Sequence, residues 1–161
     1  MREIFSDRGR LQGMLDFEAA LACAEARTGI IPKAAAAAIK AQCQAKSFDA
    51  DALAQATALA GNPAIPMVKA LTALVARKSR DAAGYVHWGA TSQDAMDTGL
   101  VLQLRNAFDL IDANVARLSD ALAQLAKKHR KAPMAGRTWL QQATPTTFGL
   151  KLAVWVAEIA R

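Results

Sequence analysis

The chain has 161 residues, room for one ordinary domain or two closely joined helical parts. It is 53% hydrophobic but only 6% aromatic, with Ala and Leu dominant and few β-branched runs, which predicts an all-α protein. The net charge of +6 is scattered, and its one dense cluster, Lys127 to Lys131, sits at an expected helix end, where basic residues complement the helix dipole. No zinc spacing, aromatic stacking platform or recognition-helix pattern accompanies that cluster, so no nucleic-acid partner is expected.

The opening residues, MREIFSDRGR, are charged and lack the apolar run of a signal peptide. Leu11, Met14, Leu15 and Leu21 then recur at helical spacing, and Gly29 provides a stop. A second helix is predicted from about Pro32 through Gln44, with Pro in its first turn. Asp49 has the type of a cap for a short helix ending near Leu59, which Gly61 and Asn62 terminate. Pro63 and Pro66 are expected to break the chain before another helix from Met67 to Lys78. Cys23 and Cys43 fall in Ala-rich helical segments without metal-like spacing and are read as small core residues.

The register then changes. Leu104, Phe108, Ile111, Val115, Leu118, Leu122 and Leu125 follow alternating spacings of 4 and 3, a heptad seam. After Gly99 neither Gly nor Pro interrupts the pattern, so one helix from about Asp94 to Arg130, on the order of 50 Å long, is predicted. So long a stripe requires partners of comparable length. Residues 131–143, broken by Pro133 and Gly136, read as an extended connection. Thr144 and Pro145 have the types of an N-cap and first helical position for a last helix. Its seam is Phe148, Leu152, Trp155 and Ile159, while Leu150, Val154 and Val156 leave few polar faces, which predicts deep burial. Lys151 and Glu158 interrupt this run, leaving it too short to span a bilayer. A soluble, cytoplasmic protein is expected. The pattern is still running at Arg161, as in the N-terminal fragment of something larger.

Two polar islands stand out at helix starts in this apolar chain. The first gathers His87, Thr91, Ser92, Gln93 and Asp94. Thr91 and Asp94 have the spacing of a capping box, with Asp in place of Glu or Gln. Capping leaves His87 and Gln93 unexplained, and a helix start with free N–H groups and hydroxyls also suits a carboxylate or phosphate. His is the only residue type in either island whose ordinary pKa lies near neutrality. The second island, GRTWLQQATPTT, carries Arg137, Thr138, Trp139, Gln141 and Gln142. Arg137 has the geometry for a two-pronged carboxylate pair, the amides for orienting it, and Trp139 serves as a packing anchor or a pocket wall. The two islands together point to a small polyanion. No nucleophile triad, Gly-rich phosphate loop or metal cluster competes.

HWGATSQDAMDTGLVLQLR (87–105) followed by GRTWLQQATPTTFGLKLA (136–153) resembles the fumarase/aspartase superfamily, and within it the bacterial 3-carboxy-cis,cis-muconate cycloisomerases, or lactonizing enzymes. The likeness runs from MREIFSDRGRLQGMLDFEAALA through GNPAIPMVKAL to the last residue. Many lyases of the superfamily carry His after GRT. Trp139 stands there in this chain, as in the cycloisomerase branch, and argues against adenylosuccinate lyase. The resemblance implies a small N-terminal helical domain over 1–92 and the start of a central helical bundle over 93–161. It also implies a homotetramer whose active sites collect segments from three subunits, a polycarboxylate substrate, and no cofactor or metal. Carried over residue by residue, His87, Thr91 and Ser92 would be catalytic and Gln93, Arg137, Thr138, Trp139 and Gln142 substrate-binding. The family's mobile loop of GSSxMPxKxN type is not in this sequence. The reading from a different class is a non-catalytic helical module whose seams pair copies of itself.

Overall fold

The computed structural model describes all residues, Met1–Arg161. Seven helices and one two-stranded ribbon follow in the order α1 (Asp7–Thr28), α2 (Lys33–Gln42), α3 (Ala50–Ala60), α4 (Ala64–Ala76), α5 (Arg80–Ala83), α6 (Ser92–Lys128), β1 (Pro133–Thr138), β2 (Gln141–Thr147) and α7 (Phe148–Ile159). The all-α class holds, with the ribbon as its one minor addition. No helix is long and apolar enough to cross a membrane. The chain forms two compact units, Met1–Ala107 and Phe108–Arg161.

In the first unit the local signals act as read. Ser6 caps α1 by accepting from the Gly9 N–H, and Gly29, at φ 79°, closes it in the left-handed conformation that a side chain would resist. Asp49 accepts from the Ala52 N–H, and Gly61 ends α3 at φ 65°. Pro66 departs from expectation: it lies within the first turn of α4, where its missing N–H has no helical acceptor to lose, so the helix starts at Ala64. Leu15, Ile39, Met67, Leu71 and Val75 are fully sequestered and join α1, α2 and α4 in one core. Each such side chain contributes about 1.5–3 kcal/mol by leaving water. Gln12 fastens α1 to the turn after α2, its amide donating to the Cys43 carbonyl and accepting from the Ala45 N–H. Helix α6 meets α1 backbone to backbone: a Cβ on Gly13 would lie 2.8 Å from the Gly99 carbonyl oxygen, and one on Gly99 would lie 2.9 Å from the Met14 nitrogen.

In the second unit residues 133–147 form an antiparallel hairpin rather than a plain extended link. Thr144 and Pro145 belong to β2, not to a helix start. The cap is Thr147, whose hydroxyl accepts from the Leu150 N–H. The ladder shifts between Ala135 and Gly136, with Ala135 opposite Pro145 and Gly136 opposite Ala143, leaving Thr144 as the extra residue. Pro145 has no N–H to give the ladder, and a bulge is where a strand tolerates that loss. Helix α7 docks on the end of α6 through Gly149, where a Cβ would come within 2.6 Å of the Ala126 carbonyl oxygen. The Phe148 ring stands 5.5 Å from that of His129, which is half-buried.

Deep burial of α7 is not observed within the chain: Gly149 and Leu152 are buried, whereas Leu150, Val154 and Trp155 are exposed. The α6 seam behaves alike, with Leu122 buried and Leu104, Phe108, Ile111, Val115, Leu118 and Leu125 open to solvent. One helix pair covers only one line of contact on each partner, so an all-round apolar helix needs more neighbours than this unit supplies.

Candidate functional site

The first group of candidate residues is set by the turn that leads into α6. His87 adopts φ 59°, a left-handed conformation uncommon outside Gly but one in which His is enriched, and Gly89 follows at φ 69°. Its ring reaches back to α1, where Nδ1 lies 2.6 Å from Oε1 of Glu18. Glu18 is 1% exposed and the His87 side chain 15%. The second carboxyl oxygen of Glu18 is buried without a partner. Burial raises the Glu18 pKa above the ordinary carboxylate range; the adjacent His87 opposes the rise and Glu25 adds to it.

Thr91 precedes the first residue of α6, and its N–H donates to Oδ2 of Asp94 at 2.9 Å, the backward half of the predicted capping box. Ser92 opens the helix, with Oγ accepting from Nδ2 of Asn62 at 3.2 Å. Because that bond uses the oxygen, the Ser92 O–H proton remains available to an acceptor outside the chain. Gln93 is turned along the helix, donating to Oδ1 of Asp97 at 2.6 Å. Gln93 and Asp97 also line a cleft of about 460 Å³ with Phe5, Arg10, Met96 and Leu100. The start of a 37-residue helix, two hydroxyls and an imidazole therefore stand within one short segment. Free N–H groups and hydroxyls at a helix start are groups suited to an anion, and an imidazole is a group suited to moving a proton.

The second group lies on the hairpin. Arg137 pairs with Gln142, and Thr138 with Gln141. Residues directly opposite in an antiparallel ladder share a face, so Arg137 and Gln142 project together while Thr138 projects from the other side. Trp139 and Leu140 form the two-residue tip at φ 40° and 65°. Hairpin turns with both central residues at positive φ normally use Asn or Gly, because bulky side chains are strained there. Trp139 is 94% exposed and Leu140 fully so.

Two contributors escaped the sequence reading. Asn62, read only as a helix terminator, also bonds Ser92 and accepts from the Ala64 N–H. Glu18 carried a visible signal: it continues the inward positions Leu11, Met14 and Leu15 of α1, where a carboxylate is out of place. Cys43 is buried and Cys23 half-buried, both as free thiols. Burial, with nearby Glu18 and Asp16 adding, pushes the Cys43 thiol up to about 12, which leaves it inert. No group of three or more His, Cys, Asp or Glu stands together as a metal-ligand set.

Comparison with known proteins gives this geometry its context. The chain is 63% identical over its whole length to the 3-carboxy-cis,cis-muconate cycloisomerase of Pseudomonas putida, of which it covers 38%. The crystal structure of 3-carboxy-cis,cis-muconate lactonizing enzyme from Pseudomonas putida superposes with a TM-score of 0.98 at 63% identity, covering 100% of this chain and 37% of that one. The nitrosuccinate lyase of Streptomyces davaonensis is 48% identical over 151 residues, 94% of this chain and 32% of that protein. The chain thus spans little more than a third of the length of the relatives it matches. The Lyase family model matches residues 1–161 without a break, and the chain belongs to that family.

Proposed function

We propose that the chain is the N-terminal part of a 3-carboxy-cis,cis-muconate cycloisomerase, which closes its substrate to 4-carboxymuconolactone in the protocatechuate branch of aromatic degradation. The observation that carries this is the 63% identity to a cycloisomerase along the entire chain. In the reaction one substrate carboxylate oxygen bonds to a carbon of a double bond. The electron pair moves toward a neighbouring carboxylate, and the carbon next to it takes a proton. Thr91, Ser92 and the first N–H groups of α6 are donors for the developing charge. Arg137 and Gln142 grip a second carboxylate from the hairpin. Gln93 completes the binding set, Trp139 walls it, Thr138 supports it from the opposite face of the hairpin, and His87 gives the proton. No organic cofactor or metal enters this scheme.

The full-length protein is a cytoplasmic homotetramer in this reading, its site shared among three subunits, with a domain boundary at residues 92/93. The assay is loss of muconate absorbance with lactone formation by the full-length protein, with adenylosuccinate and nitrosuccinate as competing substrates. Preferential turnover of either competitor would overturn the assignment. His87→Ala is expected to lower kcat about 10²-fold or more, the scale of a lost acid/base group. Unchanged kinetics would remove His87 from the mechanism.

One observation favours a second reading, a self-assembly module without catalysis: the apolar seam of α6 is open along most of its length. Full-length protein that oligomerises yet turns over none of the three substrates would favour it.

A further inference from the structure

We propose that Glu18 is the positioning residue for His87: from the interior of the helical core it holds the imidazole by Nδ1, so that Nε2 is the ring nitrogen that meets the substrate. The inference rests on the placement of His87 in the site given above. It explains three features of the first unit that packing does not.

The first is the carboxyl group itself. Glu18 is 1% exposed, shares its one side-chain hydrogen bond with His87, and has its second oxygen buried without a partner. A buried carboxyl satisfied on one side only is destabilising, and an apolar side chain of similar size would hold α1 in place better. The second is the backbone. His87 sits at φ 59°, a left-handed position uncommon outside Gly, and the Glu18 bond is the one side-chain bond that His87 makes in the chain. The third is the division of the ring: Nδ1 is committed to Glu18, while Nε2 has no hydrogen-bond partner in the chain.

A carboxylate on one imidazole nitrogen fixes the ring plane and assigns the proton positions. With Nδ1–H held on Glu18, Nε2–H gives its proton to the carbon beside the substrate carboxylate. The neutral ring then regains a proton at Nε2 from solvent, while Nδ1–H stays on Glu18 throughout. The Glu18 carboxylate touches no substrate and acts only through His87.

The test is a double-mutant cycle in the full-length enzyme with 3-carboxy-cis,cis-muconate, comparing wild type, Glu18→Gln, His87→Gln and the double variant. Glu18→Gln is expected to lower kcat about 10–100-fold, the range found for partners that orient a functional histidine. KM should stay within about twofold, and Glu18→Gln should add no further loss in the His87→Gln background. Glu18→Asp, which keeps the charge but retracts it by one methylene, should retain more activity than Glu18→Gln, and it carries the comparison if Glu18→Gln does not fold. Equal losses in both backgrounds would mean that Glu18 acts through the fold alone and would overturn the proposal. So would an unaffected Glu18→Gln enzyme beside a crippled His87→Gln enzyme. A fully active His87→Gln enzyme would instead overturn the role of His87, and this inference with it.

Discussion

Arg137 and Gln142 face the same way across the hairpin ladder, and no protein carboxylate forms a salt bridge with the guanidinium. An exposed Arg with no internal partner contributes little to stability, so its removal should be felt in binding. Arg137→Ala in the full-length enzyme is expected to raise KM by about tenfold or more with a smaller change in kcat, since one charge-assisted carboxylate bond is worth roughly 1.5–3 kcal/mol. Its Tm should match that of wild type. A normal KM would assign Arg137 to the surface. Glu18 is the opposite case, a carboxyl whose burial shows in stability. Its pKa is raised, by desolvation first, with His87 opposing and Glu25 adding. The native state therefore holds a proton at pH values where the unfolded chain has released it. The favourable contribution is complete below the unfolded pKa and is lost as pH rises through the raised folded value. Glu18→Gln is neutral at every pH and escapes that loss. Its Tm relative to wild type should thus improve from acid toward neutral pH, and a pH-independent difference would show that the carboxyl is not raised.

The crossing of α1 and α6 inverts a familiar expectation for helix glycines. Replacing Gly by Ala inside a helix ordinarily adds about 0.5–1 kcal/mol of stability. At Gly99 the new methyl would fall 2.9 Å from the Met14 nitrogen and 3.1 Å from the Gly13 carbonyl carbon, backbone atoms that cannot yield without moving a helix. Overpacking of this kind costs roughly 1–3 kcal/mol. Gly99→Ala is expected to lower the urea midpoint, whereas a rise would mean that the helices can part without penalty. The same distinction between local and distant causes governs what the sequence revealed. Caps at Asp49 and Gly61 and the Thr91 to Asp94 box were legible because each is a matter of three or four neighbouring residues. Thr144 and Pro145 imitate a helix start locally, but the pairing of Pro145 with Ala135 and of Ala143 with Gly136, with Thr144 bulged between them, wins, and the cap moves to Thr147. The tip at Trp139 and Leu140 was illegible for the same reason, since nothing in those residue types predicts positive φ. Asn62 and Glu18 join the site through bonds to residues 30 and 69 positions away, a partnership that no periodicity displays.

At the scale of the whole protein the open apolar surface becomes an argument about assembly. Phe108 and Leu118, at 57% and 50% exposure, belong to the heptad seam of α6, and Trp155 and Leu150 stand open on α7. Contiguous apolar stripes of this length are poor water-facing surfaces and call for further apolar neighbours. The deep burial read from the sequence of α7 is not met within these residues, because a seam records how many neighbours a helix needs but not which segment or chain supplies them. Charged substitutions separate the two levels. Phe108→Glu with Leu118→Glu introduces carboxylates at positions already exposed within the chain, so helix content by circular dichroism should persist. In the full-length enzyme the same carboxylates would be desolvated against like charges from other copies, a cost of several kcal/mol for each interface. Sedimentation is expected to show dissociation, and activity should fall with the fraction assembled if the site is built from several subunits as proposed. Dissociated protein with full turnover would confine the site to a single chain, and an intact tetramer would move the interface away from this seam.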